Sequence, residues 1–569
     1  MKLKVLIEDS RYINWKYYDG DTFKEKNLEE NFNPATYKLF TEDVFILNNN
    51  KVEILHSVIR SYKNIAGVLL MNKTYGRLNN DKVFYKCIPH DKRLPNFLIP
   101  VNIKKKNNIS FEKNNLNKYI TFSFKEWVDK HPIGVLQQTI GFTNNIHNFF
   151  EYQLYSKNLN ISITDFTQDA SLKLKRESQN ELIENIRERY KNIEDRTDEY
   201  IFSIDPLSCQ DFDDAFSIIK LKEDSYKMSI YISNVAIILD YLDLWNRFSE
   251  RVSTIYLPDR KRPMLPTILS ENLCSLKKSE RRFAISLDLF IENNIIIEEK
   301  FRNVLIEVKD NLSYKEVNNL QNENYKLLHT VTKDLSKNYK YINDTKDSHD
   351  LVSYYMLLMN NKIAEYQEKF KNGIYRSVHM SKEPELPEDL KDEIASFFKI
   401  YHSMSGFYSK FENRSKHCYL FDKESSYLHI TSPIRRLVDL LNLLKFQENL
   451  GEIKLNNNSK IFYENWLSRL DYINITMRSI KKVQNNCNLL FSCTNDSSLL
   501  EKEHLGYIFD KLERNDGLKQ YSVYLENLNL ISKVIIKEDL QNYKEFKFKL
   551  FVFLGENEIK KKIRLKIIL

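Results

Sequence analysis

The chain is poor in the residues that punctuate structure: 11 of its 569 residues are glycine and 12 are proline. Collagen-like, Gly/Ser-linker and Pro-rich architectures are thereby excluded. Its six cysteines, Cys87, Cys209, Cys274, Cys418, Cys487 and Cys493, are scattered with no CxxC pair and no His/Cys cluster. That removes a zinc finger and a disulfide framework and fits a reducing compartment. No apolar run approaches the roughly 20 residues that a membrane-spanning helix needs. The opening residues, MKLKVLIEDSRY, lack the apolar core of a secretory signal. An intracellular protein is expected, cytoplasmic or nuclear, not secreted and with no membrane partner.

What is present is an ordinary globular mixture, 42% apolar and 29% charged, which argues against wholesale disorder. At this length three or four domains with sizeable cores are expected. The net charge of +8 permits a polyanionic partner without demanding one.

Short strand-length stretches, VEILHSVIRSY, AGVLLMN, KVFYKCIP and YITFSF, predict a small OB or cold-shock-type barrel over residues 53–170, with a reduced barrel or extension over 1–52. Residues 172–195 read as a polar bridging helix. A mixed α/β region follows over 171–495, with strands such as YKMSIYIS and RRFAISLDLFI and helices such as DLVSYYMLLMNNKIAEYQEKF and SPIRRLVDLLNLLKFQENL. Alternating strands return over 496–569, where a small terminal barrel is expected. The fold class is thus multidomain α/β with β-barrels at both ends.

Residues 205–214 carry four aspartates, Asp205, Asp211, Asp213 and Asp214. The segment IFSID is strand-like and Pro206 forbids its continuation, so Asp205 is expected at a strand end and the other three on the following loop. Carboxylates this close repel unless a cation holds them together, and oxygen-only ligands suit Mg²⁺ or Mn²⁺. An exposed acidic turn is the competing reading. A calcium loop is not, because its turn glycine is missing and position twelve is Phe216.

A second motif, YLHITSPIRRLVDLLN, places Ser432 and Pro433 before an amphipathic run and predicts a helix with Ser432 as N-cap and Pro433 as its first residue. Free amides there, with Arg435 and Arg436, would suit a phosphate. The competing reading is an ordinary capped helix with surface arginines. Carboxylates for metal and arginines for phosphate together suit phosphodiester hydrolysis.

SIDPLSCQDFDDA and HITSPIRRLVD resemble the two diagnostic signatures of the RNB catalytic domain, the RNase II and RNase R family that includes the catalytic subunit of the exosome. TIYLPDRKRPMLPTILSENLCSLKKSERRFAISL and VKDNLSY continue the likeness. Upstream, YKCIPHDKRLPNFLIP and WVDKHPIGVLQQTIG resemble the second cold-shock barrel of the exosome-type branch, whose PIN nuclease domain is not recognisable here. The resemblance spans about residues 50–450, and the terminal barrel stands in the place of the family's S1 domain.

The resemblance implies processive 3'-to-5' hydrolysis of single-stranded RNA to nucleoside 5'-monophosphates by a two-metal mechanism. Asp205, Asp211, Asp213 and Asp214 match the metal-site aspartates, and Asp213 the one whose loss abolishes cleavage while sparing RNA binding. Arg435 matches the catalytic arginine, with Arg436 and Ser432 beside it at the RNA. Tyr314 matches the tyrosine near the terminal nucleotide, and Tyr256 an aromatic that packs on RNA. A monomer acting on RNA 3' ends is expected, with RNA-decay partners unspecified. Three positions depart from the family pattern: Ser353 stands for a glutamate, Asn234 for an aspartate and Leu437 for a tyrosine. The segment between Tyr314 and Ser353 is also short, and no second stacking aromatic is evident in it. These departures support a rival reading, an RNA-binding factor on a decayed nuclease scaffold. The intact aspartates and Arg435 oppose it.

Overall fold

The computed structural model describes the chain apart from residues 1, 28–31, 49–50, 80–81, 103–115, 318–321, 338–344, 379–385, 404–405, 416–424, 515, 556–560 and 569. It divides into two compact units. One comprises Met1–Asn160, Leu257–Arg260 and Lys481–Leu569, the other Ile161–Tyr256 and Lys261–Ile480.

The first unit holds three β structures. In KLKVLI the alternate residues Leu3, Val5 and Ile7 are buried, as period-two patterning requires of a half-buried strand. This strand sits in a five-stranded sheet spanning residues 2–56, over a core that includes Leu39 and Phe45. The expected strand over 52–62 stops at His56, because the Ser57 hydroxyl accepts the Arg60 N–H and starts a one-turn helix, Val58–Ser61. Next, Ile65–Asn79, Lys82–Pro89, Phe97–Asn102, Lys118–Glu126 and Ile133–Phe142 close into the expected N-terminal barrel around Leu69, Cys87, Phe97, Ile99, Ile120 and Phe122. Where a small terminal barrel was expected, the β-rich C-terminal part is a five-stranded sheet of Glu503–Glu513, Lys519–Leu525, Leu530–Ile536, Glu545–Leu554 and Lys561–Ile568, packed on Ile508, Tyr521, Val523 and Phe548. In that sheet the Glu503 strand is central, and the edges are the Leu530 and Lys561 strands.

In the second unit the polar helix expected over 172–195 is two helices, Thr164–Leu174 and Gln179–Arg189, followed by a strand from Ile193. Ser178 interrupts it: its hydroxyl accepts the Glu181 N–H while the Glu181 carboxylate accepts the Ser178 N–H, a capping box that begins a new helix.

Strands Ile193–Asp205 (β1), Asp214–Lys222 (β2), Ser225–Ser233 (β3), Arg281–Glu292 (β4) and Ile295–Ser313 (β5) then close into a barrel in that order. β5 returns to β1 in parallel and pairs Ser313 with Asp205, which fixes where the catalytic candidates meet. Inside the barrel the Arg196 guanidinium donates to both Asp288 oxygens at 2.7 Å, so this buried charge is paired on both arms. Helices Val235–Tyr241 (α1), Ser348–Glu368 (α2) and Leu437–Leu450 (α3) belong to the same unit. Among the described residues no helix is long and apolar enough to cross a membrane. The five described cysteines are free thiols, and Cys418 lies outside the described residues.

Candidate active site

The parallel register of β1 on β5 sets Asp205 beside Ser313, and Tyr314 follows directly. Strand β1 ends at Asp205, where Pro206 was expected to stop it. The connecting loop is pinned by Ser275, whose hydroxyl accepts the Phe212 N–H at 3.0 Å and donates to the Gln210 carbonyl at 2.9 Å. Asp211 and Asp213 lie on this loop. Asp214 does not, contrary to expectation: it is the first residue of β2 and pairs with Ile232. Alternation along that strand buries Ala215 in the barrel core.

The arginine segment also differs from expectation. Helix α3 begins at Leu437, so Ser432 is not its N-cap and Pro433 is not its first residue. Arg436 is extended, at φ −132° and ψ 126°, and bridges to Ser253 in antiparallel fashion. Hydrogen bonds from Thr254 N–H to the Arg435 carbonyl and from Leu437 N–H to the Val252 carbonyl hold it there. The preceding turn is tied by Asp439, whose Oδ1 accepts both the Ser432 N–H and an Arg436 guanidinium N–H at 2.8 Å. The amides are therefore not free for phosphate as expected, since Ser432 N–H goes to Asp439 and Ile434 N–H to Asp213 Oδ1 at 3.0 Å.

Asp205, Asp211, Asp213, Asp214, Tyr256, Tyr314, Ser432, Arg435 and Arg436 all line one cavity of about 830 Å³, together with Lys261, Val352, Met356, Asn360, Tyr427 and His429. Arg435 Nε donates to Asp213 Oδ2 at 3.1 Å, joining the aspartate loop to the arginine segment. The Tyr314 ring stacks on His349, with centroids 3.7 Å apart and planes 12° from parallel. Part of the segment between Tyr314 and Ser353, in which no second stacking aromatic was evident, lies outside the described residues.

Burial pushes the Asp205 carboxyl up to about 6 and Asp213 up to about 7, against the opposing pull of Arg435 on each. Asp214 is held well above the carboxylate range, first by burial and then by the negative charges of Asp205 and Asp213. Such an arrangement calls for a cation.

Which groups fit one can be read from their partners. Asp205 Oδ2 and Asp214 Oδ2 are buried with no hydrogen-bond partner. Oxygen-only donors of this kind suit a hard divalent cation such as Mg²⁺ or Mn²⁺. The other two aspartates are already engaged. Asp211 Oδ1 accepts from Lys261 Nζ at 2.8 Å and Oδ2 from the Tyr256 hydroxyl at 3.3 Å, while both Asp213 oxygens serve the arginine segment. Among the described residues no three acidic, histidine or cysteine side chains already converge as a metal cluster. The unmatched oxygens fit a cation at Asp205 and Asp214, while Asp211 and Asp213 hold other partners.

The three departures from the family pattern lie off the cavity wall. Asn234 is buried and caps α1, with Oδ1 accepting the Ile237 N–H at 3.3 Å and Nδ2 donating to Asn303 Oδ1 at 3.1 Å. Asparagine caps as well as aspartate does. Ser353 is exposed on α2, whose cavity-facing residues are Val352, Met356 and Asn360, at helical spacing of four. Leu437 is fully buried.

Sequence reasoning missed Lys261, Asp439 and Asn360. Asp439 stood inside the arginine motif, three residues past Arg436. Asn360 has no comparable local signal: its side chain accepts the Ile430 N–H at 2.9 Å and donates to the Tyr427 hydroxyl at 3.0 Å, 67 residues away.

Residues 193–341 match the RNB domain, and residues 84–152 match the Dis3-like cold-shock domain 2 (CSD2). Ribonuclease R of Mycoplasmopsis pulmonis is 34% identical over 171 residues, 29% of this chain and 22% of that protein, so the match spans about a fifth of the relative's length. Among solved structures, Mycoplasma genitalium RNase R in complex with ribose methylated single-stranded RNA superposes over 100% of both chains with a TM-score of 0.68 at 16% identity. Yeast Ssd1, described as a pseudonuclease, superposes over 96% of this chain and 80% of its own with a TM-score of 0.59 at 12% identity. The fold is shared by nuclease and pseudonuclease alike. The chain thus carries matches to an RNB domain and to a Dis3-like cold-shock domain 2, and it is similar to RNase R in sequence over part of its length and in fold.

Proposed function

We propose that the chain is a divalent-metal-dependent exoribonuclease that hydrolyses single-stranded RNA from its 3' end and releases nucleoside 5'-monophosphates. The observation that carries this reading is the convergence in one cavity of two carboxylates that each keep one oxygen without a partner, a guanidinium and two tyrosines from segments far apart in the chain.

Asp205 and Asp214 would hold the metal. A bound divalent cation in such a site lowers the pKa of water and neutralises charge on the phosphate. Arg435, set by Asp213, offers its remaining N–H groups to the charge that grows on the phosphate oxygens, in a pocket where such bonds outweigh those made in water. Tyr314, backed by His349, offers a ring face to the terminal base, and Tyr256 a second aromatic surface; stacking of this kind is indifferent to base identity. A two-metal version of the reaction requires Asp211 or Asp213 to release its present partners.

The first unit supports the RNA side of the proposal. Lys92, Lys157, Lys482, Lys562 and Arg564 come close enough that burial and the neighbouring positive charges hold the Lys157 and Lys562 ammonium groups below the usual lysine value. Among the described residues none of the five has a carboxylate within ion-pair distance. Cations drawn from the barrel, its following helix, the helix Leu470–Asn495 and the C-terminal sheet, with Asp91 acting on Lys157 from beyond ion-pair distance, suit a phosphodiester backbone.

The test is purified protein with end-labelled single-stranded RNA, with Mg²⁺ or Mn²⁺ and with EDTA. The 5' label is expected to shorten from the far end and the 3' label to leave at once as a mononucleotide, both only with metal. Early internal fragments would make it an endonuclease. Binding without cleavage under every divalent ion would return the chain to the RNA-binding reading.

A further inference from the structure

Lys261 has a place in the cavity that the proposed reaction leaves unexplained. The two-residue strands Ile255–Tyr256 and Lys261–Arg262 pair antiparallel, with Tyr256 directly opposite Lys261. Both side chains then reach the same carboxylate, Tyr256 through Oδ2 and Lys261 through Oδ1 of Asp211. The ammonium also lies 2.9 Å from Glu271 Oε1, on a five-residue π-helical segment, Leu269–Leu273. Lys261 is therefore clamped between two carboxylates, and only a quarter of its side chain is exposed.

The cavity thus contains two kinds of carboxylate. Asp205 and Asp214 each keep an oxygen without a partner, whereas Asp211 and Asp213 are already balanced by organic cations, Lys261 and Arg435. A divalent ion approaching Asp211 would have to displace the ammonium or lie against it, and like charges at such a distance repel strongly in a partly dry cavity.

We propose that Lys261 is a built-in cation for Asp211: it is a positioning residue that occupies the place of a second metal and restricts the cavity to one divalent ion, held by Asp205 and Asp214. The inference rests on the exoribonuclease reading only for the presence of that one ion. Charge near the phosphate is then supplied by one exchangeable cation and two fixed ones. The asymmetry has a chemical purpose, since a covalently attached ammonium is not lost when the metal concentration falls.

Mn²⁺ binding to the full chain, counted by electron paramagnetic resonance and by calorimetry, tests this without reference to activity. Wild type is expected to take up one Mn²⁺ per chain. Lys261→Met, which keeps the stem and removes the charge, is expected to take up two, the second at least about tenfold tighter than any second ion in wild type. Lys261→Arg is expected to remain at one. In the double variant Lys261→Met/Asp211→Asn the second ion is expected to vanish, because Asp211 is its ligand. Two ions of comparable affinity in wild type, or a single ion in Lys261→Met, would overturn the inference and leave the nuclease reading intact. No Mn²⁺ in wild type at millimolar concentration would overturn the metal-dependent reading itself. Should Lys261→Met fail to fold, Lys261→Gln serves the same comparison, and the wild-type count stands independently of any variant.

Discussion

Asp213→Asn isolates the contact that joins the two halves of the site. In the native structure the Asp213 side chain is 4% exposed, and its two oxygens accept from the Ile434 N–H at 3.0 Å and from Arg435 Nε at 3.1 Å. Asparagine keeps the size and one acceptor, so the Ile434 bond survives. Its amide N–H₂ then faces the guanidinium, donor against donor. The loss is one charge-assisted hydrogen bond, about 1.5–3 kcal/mol. Because Arg435 is 43% exposed, water compensates part of its unpaired charge, and the neutral amide also removes the cost of burying the carboxylate, so only a small net change in stability is expected. Catalysis should suffer more. A charge-stabilising group displaced by an ångström costs about 100-fold in rate, and losing one preorganised donor at a reacting oxygen costs about 100- to 1,000-fold. Single-turnover decay of 5'-labelled RNA in Mg²⁺ should therefore slow by about 100-fold or more. RNA affinity by filter binding should change by less than about threefold, since stacking and phosphate contacts elsewhere are intact. A thermal melt separates this from misfolding. A variant that degrades RNA within about threefold of the wild-type rate would remove the Asp213–Arg435 pair from the mechanism.

Four further outcomes follow from the same geometry. The double variant Lys157→Glu/Lys562→Glu should weaken RNA binding and lower the slope of log K against log[salt] by about 2, as fewer phosphates are neutralised; an unchanged slope in filter binding would assign the first unit to scaffolding. Because burial raises Asp205 to about 6 and holds Asp214 well above the carboxylate range, both carboxyls carry protons below pH 6, and Mn²⁺ affinity by titration calorimetry should fall by up to about a hundredfold per unit as pH drops beneath it, two protons being displaced. The metal-free fold obeys the opposite sign. Between about pH 4 and 7 the folded chain retains protons on Asp205 and Asp213 that the unfolded chain has lost, so its stability should decline as pH rises through that window, and a stability that increases there would contradict the burial of these groups. Finally, Asn234→Asp should not improve activity, because its donor to Asn303 is replaced by an oxygen facing an oxygen; a chemical-denaturation loss of about 1–3 kcal/mol is expected, and a gain in RNA decay would show that the position acts on the site.

The chemistry of this chain was local in sequence. Four aspartates within ten positions, a proline that had to end a strand at Asp205, and an arginine pair ahead of an amphipathic run were legible because strand termination, charge repulsion and helical periodicity act over a few residues. The same locality explains the reading of the barrel strands, such as KVFYKCIP, where the buried Val83, Cys87 and Pro89 share one face. It also explains the errors at element ends. Ser178 and Ser57 broke a predicted helix and a predicted strand through caps that compete with regular structure on nearly equal terms, and α3 began at Leu437 because Arg436 was recruited into a bridge with Ser253, 183 residues earlier. Which side chains face the cavity was decided only by the tertiary structure. The parallel return of β5 onto β1 set Tyr314 beside Asp205, and the roles of Asn234 and Ser353 changed once one proved to be a helix cap and the other an exposed position. The partners of each aspartate were equally beyond the sequence. Composition made all four equivalent, whereas packing left Asp205 and Asp214 each with an unmatched oxygen and gave Asp211 and Asp213 to Lys261 and Arg435, because long-range contacts alone determine which buried charge still needs a counter-ion.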